Sequence, residues 1–346
     1  MRGVLELPPD LEPLQDLLLR SLERVEDRFD VQVASDLPPV NELCRHIERY
    51  RGKMLRPTMA VLCALAGRGG GEASDAEVSE DVVTLAATCE MVHMATLVHD
   101  DVLDEADVRR RGETVNRLRG NETAVILGDY LIAAAYHLCS QIADPAVARE
   151  AALEIGRTSM VMCAGELLQL HHRDDWSLDE ATYFEILDRK TAALVAAACG
   201  LGAQVGGAMP EAAGALREFG RRLGVAFQVQ DDLLDLTGEE AVVGKSVGKD
   251  LEKGKLTLPL IHHLKTCSPE QRGRSLRLME DAAKVRHDDA AARLVVALRD
   301  TGSIEHARSF ARRLADDAKT VLAPLPETPA KAMLTVMADA AVARTH

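Results

Sequence analysis

A chain of 346 residues that is 47% hydrophobic but only 3% aromatic, with Ala and Leu dominant, favours packed helices over sheets. Its 41 basic residues against 55 acidic ones leave a net charge of -14, which excludes the basic footprint of a nucleic-acid binder. Seven scattered cysteines without a C-x-x-C pair exclude a disulfide framework and a zinc site, and Cys89, Cys163 and Cys199, in apolar helical contexts, read as small buried hydrophobes.

The opening MRGVLELPPDLEPLQ lacks the apolar core of a signal peptide, and no uninterrupted run reads as long enough to span a membrane; a cytoplasmic protein is expected. No linker divides the chain, so a single all-α domain over 1–346 is expected even though the length exceeds a usual domain core. Residues 10–34 form an amphipathic helix that Pro38-Pro39 should end. A second helix leads into RGKMLRP (51–57), where a glycine stands beside Lys53 and Arg56, and GRGGGEASD (67–75) is the clearest loop. The apolar CEMVHMATLV (89–98) reads as a buried helix, and it runs into HDDVLDEAD (99–107), five carboxylates in nine residues. Asp100, Asp104 and Asp107, spaced by four and three, share one helix face, where like charges repel. Arg109, Arg110 and Arg111 would neutralise such a cluster on a solvated surface helix; the buried helix before it points to a site instead.

Helices continue through LGDYLIAAAYHL, MVMCAGELLQL and YFEILDRKTAALVAAACGLGAQVGG to FGRRLGVAFQVQDDLLD. The last of these repeats the pattern, an apolar helix followed by Asp231, Asp232 and Asp235. One D-D-x-x-D string is weak evidence, but two after apolar helices are not. Carboxylate oxygens suit hard cations, and Mg2+ keeps waters and takes further ligands from substrate phosphates, so paired Asp clusters suit metal plus a polyphosphate. The loop spacing of a calcium-binding EF-hand is absent. Basic groups for a diphosphate stand at Lys53 and Arg56, at Arg109 to Arg111, at Lys190-Thr191 and in GKSVGKDLEKGK (244–255). The Gly- and Lys-rich 238–255 is the natural lid. Helices over 266–346 carry no chemical motif and read as structural support.

Together these motifs resemble the trans-isoprenyl diphosphate synthase (polyprenyl synthetase) family. DDVLD (100–104) with Arg109 and Arg110 is similar to its first aspartate-rich motif, DDLLD (231–235) after Phe227-Gln228 to its second, and RGKMLRP to its G-G-K-x-x-R-P signature. EMVH (90–93), LGDYL (127–131), GELLQL (165–170), Lys190-Thr191 and GKDLEKGKLTLPLI (248–261) follow in family order, over about 40–265. Two positions depart from the pattern: Arg51 replaces the first glycine of G-G-K, and Arg111 replaces the glycine after the arginine pair, with Gly52 and Gly112 left to supply the permissive backbone.

The resemblance implies an all-α helical bundle of the isoprenoid synthase type around a central cavity. It also implies condensation of isopentenyl diphosphate with an allylic diphosphate, through an allylic cation formed as diphosphate leaves, with no protein nucleophile. Asp100, Asp104 and Asp231 resemble the principal Mg2+ ligands, with Asp101, Asp232 and Asp235 as direct or water-mediated support, and three Mg2+ per site with substrate bound. Arg109, Lys190, Thr191, Gln228, Lys245 and Lys255 resemble the allylic diphosphate contacts. Lys53, Arg56, His93 and Arg110 resemble the isopentenyl diphosphate site, although His93 on its apolar helix also reads as a core histidine. A homodimer is implied, with contact to a membrane only through the product. Small Ala95 and Thr96, where short-chain members place aromatics, imply a product of geranylgeranyl length or longer, with Ile132, Tyr136, Met160 and Met162 as candidates for the tunnel floor. The rivals are a class I terpene cyclase, disfavoured by the paucity of aromatics and by the retained Lys53, Arg56 and Arg110, and a non-catalytic subunit of a heteromeric synthase, disfavoured by both intact Asp motifs.

Overall fold

The computed structural model describes residues 11–68, 78–110, 112–237, 249–284 and 288–344. Among them the chain is helical almost throughout: α1 (Glu12–Val33), α2 (Pro38–Ile47), α3 (Leu55–Gly67), α4 (Glu80–Leu103), α5 (Val115–Arg119), α6 (Asn121–Cys139), α7 (Pro145–His171), α8 (Glu180–Leu187), α9 (Ala193–Val205) and α10 (Pro210–Thr237), followed by α11 (Lys249–Glu252), α12 (Leu258–Thr266), α13 (Pro269–Lys284), α14 (Asp288–Asp300), α15 (Ser303–Val321) and α16 (Pro329–Ala343). Two-residue strands, β1 (Val108–Arg109) and β2 (Gly112–Glu113), pair antiparallel.

The contacts group into two compact units. The first takes Met1–Met160, Leu194–Gly220 and Thr320–Val336; the second takes Val161–Ala193, Arg221–Lys319 and Met337–His346. In the first, α4 is central and packs on α6, α3 and α1. It starts at Ser79, whose hydroxyl accepts from Val82 N at 3.4 Å, with Glu80 and Asp81 in the first turn, a favourable charge for a helix N-terminus. α4 is long and apolar enough to cross a membrane by length and composition, which the sequence reading did not recognise; its apolar stretch is 78% buried inside the protein, as a core helix should be. α3 approaches α9 closely because Gly202 and Gly206 lie against Ala60 and Ala64, where a Cβ on Gly202 would stand 2.4 Å from Ala60 O. The second unit closes on Tyr183, Leu187, Val229, Leu233, Leu258 and Leu298, with Phe184 stacked on Phe310 at 4.5 Å.

Four local expectations need correction. α1 ends at Val33, and Pro38-Pro39 open α2 instead of ending α1, because proline's fixed φ and missing N–H suit a first helical turn. Asp107 does not share a helix face with Asp100 and Asp104. α4 stops at Leu103, Glu105 turns left-handed at φ 48, and Glu105 N and Ala106 N donate to Val102 O and Asp101 O at 3.2 and 2.9 Å; this is the double bond of a Schellman close. Between α8 and α9 the helix widens into a π turn over Asp188–Ala192. Cys163 is exposed, whereas Cys89 and Cys199 are buried; it lies on the outer face of α7 between the exposed Met160 and Leu167. The loop at 69–77 and the lid residues 238–248 lie outside the described residues.

Candidate active site

The first aspartate motif sits at the C-terminus of α4, in the first unit. Asp100 and Asp104 are half-buried, and Asp101 is buried at 2% exposure. Asp101 Oδ1 accepts from Arg109 Nε at 2.9 Å and Nη2 at 2.8 Å, so this carboxylate fixes the arginine of the β1 turn. Burial and the Asp101 charge push the neighbouring Tyr50 phenol up to about 12, leaving it a neutral donor. Its oxygen in turn accepts from Val115 N at 3.2 Å.

Arg110 has φ 48 and donates from Nη1 to Arg51 O at 2.8 Å. Its guanidinium lies flat against Gly52, where a Cβ would meet Nη2 at 2.1 Å. Gly52 therefore provides room for a cation, and no left-handed φ is required of it. Arg51 points away, pairing with Asp30 over the Phe29 ring at 4.5 Å. Gly112 is likewise close packed, against the Arg49 side chain; Arg111 lies outside the described residues.

His93 is held well below 6.5 by burial and by the charges of Arg56, Arg109 and Arg110. It is neutral at neutral pH and can accept or donate one hydrogen bond. One turn before it, Glu90 is buried at 2% exposure, with its carboxyl raised by burial against the lowering charges of Arg56, Arg51 and Arg110. The structure thus brings Arg56, Arg109 and Arg110 into one electrostatic cluster around His93, with Arg56 and Arg110 also acting on Glu90, while Lys53 stands exposed before α3.

The second motif lies on α10 in the second unit. Asp232, 6% exposed, accepts from Tyr183 Oη at 2.6 Å and from Gln228 Nε2 at 3.0 Å; Gln228 Oε1 accepts from Thr191 Oγ1 at 3.0 Å. The chain Thr191, Gln228, Asp232, Tyr183 is continuous. Burial, then the charge of Asp250, raise the Asp232 carboxyl to about 8. Asp235 Oδ2 accepts from Asp250 N at 3.1 Å.

Lys190 sits on the π turn and ion-pairs with Glu166 of α7. The turn and α7 approach closely because Gly165 has no side chain: a Cβ there would meet Arg189 Cβ and Lys190 N at 2.7 Å. π turns recur at functional sites because they re-aim side chains. Lys255 N donates to the Asp250 backbone carbonyl at 2.8 Å, which fixes the turn that carries Lys255. Lys245 lies outside the described residues.

Among the described residues, no three His, Cys, Asp or Glu side chains are grouped to hold a metal by themselves. Hard carboxylate oxygens, with a buried Asp232 whose carboxyl is raised, fit a divalent cation that arrives with its own phosphate oxygens.

A family model for polyprenyl synthetase matches residues 38–295. The chain belongs to the polyprenyl synthetase family. It is 35% identical to the octaprenyl diphosphate synthase of Escherichia coli K12 over 97% of this chain and 99% of that protein. It is 32% identical to the heptaprenyl diphosphate synthase component 2 of Geobacillus stearothermophilus over 94% and 96%. The crystal structure of the Caulobacter crescentus CB15 polyprenyl synthase, complexed with calcium and isoprenyl diphosphate, superposes with a TM-score of 0.87 at 31% identity, covering 97% of this chain and 98% of that one. The fold is the all-α isoprenoid synthase fold and the protein is a prenyl-transferring enzyme. For this polyprenyl synthetase, sequence reasoning missed Glu90, Glu166, Tyr183 and Asp250 as site components. EMVH, GELLQL and GKDLEKGKLTLPLI were visible signals for Glu90, Glu166 and Asp250, whereas Tyr183 lies outside any motif and meets Asp232 only in the fold.

Proposed function

We propose that this polyprenyl synthetase is a Mg2+-dependent trans-prenyltransferase that condenses isopentenyl diphosphate with an allylic diphosphate to a product of geranylgeranyl length or longer. The observation that carries the proposal is the second motif: Asp231, Asp232 and Asp235 gather with Asp250 around a carboxyl raised to about 8, beside a π turn that presents Lys190 and Thr191. Asp100, Asp104 and Asp231 would hold Mg2+, with Asp235 and Asp232 in support. The bound metal would neutralise the leaving diphosphate as a Lewis acid.

The protein's own groups do the rest. Arg109, fixed by Asp101, and Lys190, fixed by Glu166, offer preset charge to the diphosphate as the C1–O bond breaks. Arg110 on its glycine shelf, Arg56 and exposed Lys53 receive isopentenyl diphosphate, whose double bond forms the new C–C bond; the proton lost afterwards passes to the released diphosphate. Neutral His93 contributes one hydrogen bond to isopentenyl diphosphate. Asp101 acts through Arg109, and Gln228 passes the Asp232 contact to Thr191.

Ala95 is fully buried and Thr96 half-buried on α4, small where a short product would need a bulky stop, and the relatives named for octaprenyl and heptaprenyl products support the longer range. Of the floor candidates, Met160 is 75% exposed, which argues against it as a stop; Ile132, Tyr136 and Met162 stay as proposed candidates. The enzyme is proposed to act in the cytoplasm as a homodimer of single-domain chains.

Incubation with Mg2+, isopentenyl diphosphate and dimethylallyl, geranyl or farnesyl diphosphate, followed by dephosphorylation and sizing of the alcohols, tests the reading. Linear prenyl alcohols of C20 or longer are expected. Cyclic hydrocarbons would replace the reading with a cyclase, and no turnover would replace it with a subunit needing a partner.

A further inference from the structure

At the end of α16 the chain returns to the second aspartate motif. Arg344 Nη2 donates to Asp231 Oδ1 at 2.7 Å, its guanidinium lies 4.0 Å over the Phe227 ring, and Gln230 Nε2 donates to Arg344 O at 2.7 Å. Phe227, Gln230 and Asp231 are i, i+3 and i+4 on α10, one face of that helix, and all three grip a single residue. An ion pair held by charge alone contributes little at a surface. Here a cation–π stack and a backbone bond set the guanidinium's place before the carboxylate is considered. Nothing in the proposed chemistry uses Arg344.

We infer that Arg344 is the resident counter-ion of Asp231, holding the carboxylate in the metal-free enzyme and yielding it when a divalent cation binds, so that it sets the metal affinity of the second motif. The inference rests on reading Asp231 as a metal ligand. A guanidinium has no acceptor, so it and a metal ion compete for the same oxygen instead of cooperating there. Its benefit falls on the metal-free state: Asp231, Asp232, Asp235 and Asp250 repel one another, and the fixed guanidinium helps to keep the end of α10 in place. Its cost is a weaker metal site, because binding must displace a preformed contact.

The full-length chain and its Arg344→Gln and Arg344→Lys variants are titrated with Mn2+ alone, followed by electron paramagnetic resonance of free Mn2+, and with Mg2+ plus inorganic diphosphate, followed by melting temperature. Arg344→Gln is expected to melt lower without metal yet to bind Mn2+ about three- to tenfold more tightly, as removal of a weak competitor requires. Arg344→Lys, keeping charge without the planar stack, should fall between. A lowered melting temperature with an unmoved Mn2+ midpoint would make Arg344 merely structural and overturn the inference. A weaker midpoint would make it a supporter of the metal and overturn it as well. Asp231→Asn separates the two readings: if it leaves Mn2+ binding untouched, Asp231 is no ligand and the functional reading falls with the inference; if it abolishes binding while Arg344→Gln changes nothing, only the inference falls.

Discussion

Asp232 is a buried carboxyl, and among the described residues two donors, Tyr183 and Gln228, hold it. Tyr183 is itself pushed well above 10 by burial and by Asp232, so it donates at every pH of interest. Tyr183→Phe is expected to lower the stability of the metal-free chain by about 1–3 kcal/mol, the cost of leaving a buried carboxyl oxygen without its donor, in urea unfolding at constant m-value; a loss below about 0.5 kcal/mol would show that water replaces the phenol. His263 offers a pH test away from the site. It is 1% exposed, bonded through Nδ1 to Thr301 and Nε2 to Ser275, and held below 6.5 by burial and by His262. The folded chain therefore resists a proton that the unfolded chain accepts. Stability from His263 is complete above pH 6.5 and is lost as the pH falls through 6.5 towards the folded value. Melting temperature measured from pH 8 to pH 5 should fall more steeply for the wild type than for His263→Gln, and parallel curves would contradict this.

At the scale of elements, the site depends on how helices end and how closely they approach. The Schellman close of α4 uses Glu105 where glycine is usual, a left-handed conformation that costs a side chain roughly 1–2 kcal/mol. Allowing for glycine's greater entropy loss, Glu105→Gly should stabilise the chain by roughly 0.5–1 kcal/mol, read as a raised urea midpoint, because the turn that aims Asp104 stays as it is. Gly165 presents the opposite case. Its Cβ would collide with the backbone of the π turn at 2.7 Å, so Gly165→Ala must push Lys190 away from its place beside Glu166. A fall in kcat/KM on the order of 10- to 100-fold is expected from such a misplacement; unchanged kinetics at full stability would mean that Lys190 has no part in catalysis.

For the whole molecule, what could be read beforehand follows from the range of the interactions. Helical periodicity is local, so nearly every helix was foreseeable, and both D-D-x-x-D strings announce themselves by spacing within five residues. The π turn at Lys190 and the Glu105 close were not foreseeable, because neither has a composition of its own. The Tyr183 bond to Asp232 spans 49 residues and the Arg344 bond to Asp231 spans 113, and a tyrosine or arginine that far from a motif is one among many in the string. Membership of an assembly is legible only in part: a helix rich in leucine looks the same whether its apolar face meets its own chain or another. On α7 the structure distinguishes them. Leu153, Met160 and Leu167 are 57%, 75% and 67% exposed at seven-residue spacing, a stripe along two turns per repeat that monomers seldom leave uncovered. If a second copy covers it, sedimentation should give twice 37.5 kDa. Each large apolar side chain buried there would contribute about 1.5–3 kcal/mol, so Leu153→Glu with Met160→Lys should weaken association at least about a hundredfold and yield monomers at micromolar concentration, with the far-UV helical signal retained. A wild-type chain that sediments as a monomer would show that no second copy covers the stripe.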